Sequence, residues 1–184
     1  MRERLARLRG RLAEELPRRR VPLGFVCGGL VLWLSRPTSA TLIAGFTIAS
    51  LGEAIRFWAA GHLYKAREVT LSGPYRWVAH PLYLGSSVMG VGLSVASRSA
   101  MVAILIALYL GATLTAAIRS EEAFLRRSFG DRYDRYRRTG AGGPPDTGVD
   151  RGFSLAQAIA NREHRAAAGL VLALLLLFWK TTYN

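Results

Sequence analysis

Two groups of residues in this chain could do chemistry, and each stands at the edge of a long apolar run. The first is His80-Pro81-Leu82-Tyr83, within the string GPYRWVAHPLYLG that runs from Gly73 to Gly85. The second is the carboxylate pair Glu121-Glu122, at the end of the next apolar run. Polar and ionisable groups beside lipid are costly and mark function by default. Proline suits the first position of a helix, where its missing N–H costs nothing. The N–H groups of Leu82, Tyr83 and Leu84 are then expected to point, unpaired, out of the helix end. Together with the helix dipole they make an anion site. His80 either adds a donor to that site or caps the helix at the interface. The glutamates either complete the same pocket or pair with Arg119, Arg126 or Arg127.

Counting along the chain brings the two groups together. A short Ser97-Arg98-Ser99 connection makes the two apolar runs an antiparallel hairpin. His80 lies 18 residues before Arg98, and Glu121 and Glu122 lie 23 and 24 after it. At 1.5 Å per residue the ends differ in depth by less than about 10 Å. A ligand that wants both groups carries a carboxylate for the helix end and an ammonium or hydroxyls for the glutamates. S-adenosylmethionine fits, and the ring of Tyr83 can face its adenine or sulfonium. Gly85 and Gly90 allow close approach by a ligand or by a neighbouring helix.

The elements that must position these groups are membrane helices. Half of the 184 residues are hydrophobic, yet 25 are Lys or Arg, and the apolar residues come in blocks with the charge at their edges. That pattern is an all-α polytopic membrane protein of about five spans. The spans are expected at Val21–Leu34, Ser39–Ala60, Pro81–Ala96, Ala100–Ile118 and Ala166–Trp179. Residues 1–20 carry Leu5, Leu8, Leu12 and Leu16 among eight arginines, the pattern of a basic helix lying on the membrane surface. Glu3, Glu14 and Glu15 within that stretch, and the spans that follow, argue against a cleaved secretory signal. Residues 21–184 then form one membrane domain, with the pocket mainly in 73–138.

Placing the N-terminus in the cytoplasm puts 21 basic residues on inner segments and three, Arg36, Arg98 and Lys180, outside. The positive-inside rule favours that orientation and a bacterial inner-membrane location. Net charge +13 is then a signature of anionic lipid, not of nucleic acid. The lone Cys27 excludes an intrachain disulfide framework and a multi-cysteine metal site, and no metal is expected. Glu53 and Arg56 fall within the second span and share a helix face.

The two strings, GPYRWVAHPLYLG and EEAFLRRSFGDRYDRY, resemble the integral-membrane methyltransferases, namely isoprenylcysteine carboxyl methyltransferases and phospholipid N-methyltransferases. The pattern is met at Gly73, Pro74, Tyr75, His80, Pro81, Tyr83, Gly85, Glu121, Glu122, Leu125, Phe129, Gly130, Tyr133 and Tyr136, within roughly residues 45–140. The resemblance implies S-adenosylmethionine as cofactor, held by His80, Tyr83, Leu84, Gly85, Glu121 and Glu122. It implies a lipophilic or lipidated acceptor entering sideways from lipid. Arg56, Arg119 and Tyr136 are the substrate-side candidates. One departure is Ala79, where the family has arginine. Two other readings stand beside this one. A nicotinamide-dependent reductase of the sterol and steroid type has a similar His-Pro-x-Tyr helix start, and a non-catalytic protein can keep the fold. Oligomeric state is left open.

Overall fold

The computed structural model describes residues 24–64, 70–130 and 152–183, and they contain helices and no strands. The surface helix expected over 1–20, the aromatic positions Tyr133 and Tyr136, and the Gly/Pro-rich stretch 140–148 lie outside the described residues.

Among the described residues six α-helices follow one another: α1 Gly24–Leu34, α2 Ser39–His62, α3 Pro81–Ser97, α4 Ala100–Phe129, α5 Leu155–Ala160 and α6 Glu163–Thr181. A 3-10 turn at Gly73–Arg76 precedes α3. Five of the helices correspond to the five expected spans. α2, α4 and α6 are long and apolar enough to cross a membrane, while α1 and α3 are shorter apolar helices. At 1.5 Å per residue α1 and α3 measure roughly 16 and 25 Å, against about 30 Å of hydrocarbon.

Local chemistry sets the helix ends. Thr38 and Thr41 form a reciprocal capping box at the start of α2. Pro81 opens α3, and Arg98 ends it in the left-handed region at φ 49°. Ser99 then caps α4 by accepting from the N–H of Val102. Lys180 reaches across from α6 to donate to the carbonyls of Leu32 and Trp33 at the end of α1, at 2.5 and 2.9 Å.

Two boundaries differ from expectation. α4 does not stop at Ile118 but continues to Phe129, with Gly130 ending it at φ 50°. Residues 119–129 are rich in Arg, Glu, Ala and Leu, all strong helix formers, so the helix has no local reason to stop where its apolar stretch does. α6 begins at Glu163, three residues before the expected Ala166.

The tightest packing is between α2 and α3, along facing small residues. A Cβ on Gly45 would lie 2.5 Å from Ala96, and a Cβ on Gly52 would lie 2.6 Å from the carbonyl oxygen of Gly85. Small residues at such a seam let two backbones approach closely, which is how apolar helices associate without a hydrophobic drive in lipid. α6 lies along the same pair, placing Leu170 and Leu174 against Ala49. α4 stands apart and buries only Val102 and Ile106, with Met101, Ile104 and Leu108 exposed as a lipid-facing stripe.

α5 closes one end of α2. The side-chain amide of Asn161 donates to the carbonyls of Ala60 and Leu63, both at 2.8 Å, and Gln157 donates to Leu63 at 2.7 Å. The N–H of Ser154 adds a bond to the Gly61 carbonyl at 3.1 Å. Carbonyls at a helix end are unpaired within the helix, and here a later segment of the chain satisfies them.

Candidate functional site

α3 and α4 bring His80 and the glutamate pair together. The Nδ1 atom of His80 lies 3.7 Å from Oε2 of Glu121, and Nε2 lies 3.5 Å from Oε1 of Glu122. Both distances exceed the ~2.7–3.2 Å of a tight N–H···O bond. The ring therefore spans the two carboxylates without clamping either. Tyr83 stands beside it, with ring centroids 5.6 Å apart. Glu122 and His80 are mostly shielded, while Glu121 is about one-third exposed, with side-chain exposures of 18%, 16% and 36%.

His80 occupies the cap position of α3 but its side chain makes no capping hydrogen bond. The ring is turned to α4 instead. The expected anion site is also smaller than the sequence implies. The N–H groups of Tyr83 and Leu84 both donate to the carbonyl of His80, each at 3.1 Å. The His80 carbonyl accepts the first bonds of the helix and so uses two of the three donors. The glutamates, not the helix end, are therefore the dominant charge of the site.

From this end a groove runs between α3 and α4, with a volume of about 880 Å³. His80, Tyr83 and Leu84 line one end, and Arg98 and Ser99 the other. Its walls are mostly apolar or small, including Ser87, Ala103 and Ala107. Gly90 makes room for Leu110 and Ile106, since a Cβ there would strike the Leu110 side chain.

Gly85 faces the other way. It is buried against α2, where a Cβ would lie 2.6 Å from Cγ of Arg56 and from the Gly52 carbonyl oxygen. Of the two uses that sequence reasoning left open for Gly85, the structure places it at a helix–helix contact. Arg119 is exposed on α4, and Tyr136 lies outside the described residues.

Arg56 forms a second polar cluster. Its guanidinium meets Oε1 of Glu163 at 2.6 Å and Oε2 of Glu53 at 3.6 Å. It also donates to Ser86 Oγ and to the Leu82 carbonyl, the latter at 3.5 Å. At about 100° per residue, Leu82, Gly85 and Ser86 occupy one side of α3 and His80, Tyr83 and Ser87 the opposite side. The two clusters thus flank the same helix turns from opposite faces. Sequence reasoning missed Ser86 and Glu163. The signal for Glu163 was an acid three residues ahead of an apolar run, at the place where a helix N-terminus favours negative charge.

Residues 24–132 match the family model described as phospholipid methyltransferase. The chain is 35% identical over 111 residues to a nickel-cobalt-cadmium resistance protein of Alcaligenes xylosoxydans xylosoxydans, covering 59% of this chain and 51% of that protein. It is 33% identical over 132 residues to a cobalt-zinc-cadmium resistance protein of Cupriavidus metallidurans, covering 66% and 60%. It is 28% identical over 123 residues to the protein-S-isoprenylcysteine O-methyltransferase of Schizosaccharomyces pombe, covering 67% and 48%. The chain spans about half to three-fifths of the length of these relatives. No solved structure matches. Among the described residues, no group of three or more His, Cys, Asp or Glu side chains is arranged to hold a metal ion.

Proposed function

The chain belongs to the phospholipid methyltransferase family, and on that premise we propose that it moves a methyl group from S-adenosylmethionine to a lipophilic acceptor at the cytoplasmic face of a bacterial inner membrane. The observation that carries this reading is the convergence of His80, Tyr83, Glu121 and Glu122 at the mouth of a groove open to lipid. Bound there, the cofactor would supply an electrophilic methyl group on a cationic sulfur.

The residues present fit such a group. Glu121 and Glu122 hold a positive ammonium or accept from ribose hydroxyls, and the face of Tyr83 supports a cationic or aromatic part. His80 stands between the two carboxylates. The groove between α3 and α4 takes the apolar part of the acceptor, which then meets the polar cluster at the membrane surface. Two acceptor chemistries suit it: the carboxylate of an isoprenylcysteine-like group, or the amine of a phospholipid. A carboxylate needs no general base, so its catalysis is alignment and exclusion of water. An amine has to arrive deprotonated, and Glu122 or His80 is placed to take its proton. Arg119 and Tyr136 stay as substrate-side candidates.

Calorimetry on the purified protein in detergent tests the reading, with S-adenosylmethionine and NADPH titrated separately. Selective binding of S-adenosylmethionine, lost in His80→Ala and Glu122→Gln, supports methyl transfer. Binding of NADPH alone replaces it with the reductase reading, which the family match does not favour. Binding of neither points to a non-catalytic member of the fold.

A further inference from the structure

We propose that Arg56 is a positioning residue of this site, acting on it from behind α3; the inference rests on the methyl-transfer reading. An arginine within a membrane span, mostly shielded and bonded on three sides, is costly unless it fixes something. What it touches on α3 is Leu82 and Ser86. Ser86 Oγ itself donates to the Leu82 carbonyl at 2.9 Å, so the three groups form one knot at the first two turns of the helix. His80 and Tyr83 project from the opposite side of those same turns.

The rest of the α2–α3 seam does not provide this control. Gly45, Gly52, Gly85 and Ala96 meet through backbone and small side chains. Such a contact holds two helices close but presents few projections to resist sliding or rotation. The guanidinium fork supplies direction: one nitrogen serves α3 while another is held 2.6 Å from Glu163 on α6. A lysine has one ammonium on a flexible stem and cannot hold both directions with the same geometry. Loss of the fork leaves α3 in place but free to turn, and with it the ring of His80 relative to Glu121 and Glu122.

The test uses the full chain in lipid nanodiscs, comparing the parent with Arg56→Gln, Arg56→Lys and Ser86→Ala. Calorimetry with S-adenosylmethionine reads affinity and stoichiometry separately. Partial unfolding lowers stoichiometry, whereas a misplaced site raises Kd at unchanged stoichiometry. Arg56→Gln is expected to raise Kd by about tenfold or more, with Arg56→Lys failing to rescue and Ser86→Ala giving a smaller rise. A second readout needs no cofactor. Spin labels at Ser87 and Phe124, in a Cys27→Ala background, report the distance from α3 to α4, which should shift or broaden in Arg56→Gln. Unchanged Kd and unchanged distance in a folded Arg56→Gln protein overturn the proposal. If Arg56→Gln does not fold, unchanged values in Ser86→Ala do so. If the parent protein does not bind S-adenosylmethionine, the methyl-transfer reading fails, and the label distance alone decides the positioning role.

Discussion

The ring of His80 and the carboxylate of Glu122, 42 residues apart in the chain, face each other at 3.5 Å across the α3–α4 hairpin. That contact joins the start of one helix to the polar extension of the next. It exists because α4 continues as one helix past its apolar stretch, carrying the glutamates to the level of α3's first turn. It also defines what each neighbouring residue should do when altered.

Replacement of Glu122 by glutamine keeps shape and removes charge. We expect S-adenosylmethionine affinity to fall by about tenfold, or ~1.4 kcal/mol. Glu121→Gln, at the more exposed carboxylate, should fall less. Isothermal titration of the purified variants checks the order, and equal loss at both positions would contradict it.

Filling the groove should separate acceptor from cofactor. Ala107 lines the groove but is remote in sequence from the polar cluster. Ala107→Phe is expected to raise the KM for a lipid acceptor by roughly tenfold while leaving cofactor affinity within about twofold. An equal effect on both would place the acceptor elsewhere.

The α2–α3 seam predicts a pair of opposite outcomes for the same substitution. Gly85→Ala forces a Cβ against Arg56 and Gly52, so it should destabilise the protein by about 1–3 kcal/mol. At Gly111 a Cβ meets nothing within 4 Å, and Gly111→Ala should be neutral or slightly stabilising. Thermal unfolding in detergent measures both.

Asn161→Ala removes two hydrogen bonds to the end of α2, leaving the Leu63 carbonyl to Gln157 and the Ala60 carbonyl to the Leu63 N–H. A loss of about 1–3 kcal/mol is expected, seen as a lowered Tm, with Gln157→Ala losing less because only one bond goes.

Orientation is testable with thiol probes in a Cys27→Ala background. A membrane-impermeant maleimide added to intact cells should label Ser99→Cys and not Trp77→Cys. The reverse pattern would move the proposed site to the outer face.

Much of this protein follows from properties that the sequence carries locally. Apolar length and capping residues determined the helices, because a backbone in lipid has to satisfy its own hydrogen bonds. Counting residues from the Arg98 turn put His80 and the glutamates at similar depth, because rise per residue is nearly constant. Direction around each helix axis was not legible in the same way. Which side of α3 meets α2 and which meets α4 depends on how small residues on separate helices fit together, a property of pairs and not of either sequence alone. So Gly85, which shares a motif with His80 along the chain, lies behind the helix from it, against Arg56. Likewise, only the folded chain shows Asn161 completing α2, and two of the three free N–H groups of α3 already taken by His80's own carbonyl. Depth was written residue by residue; facing was decided by the partners each helix packs against.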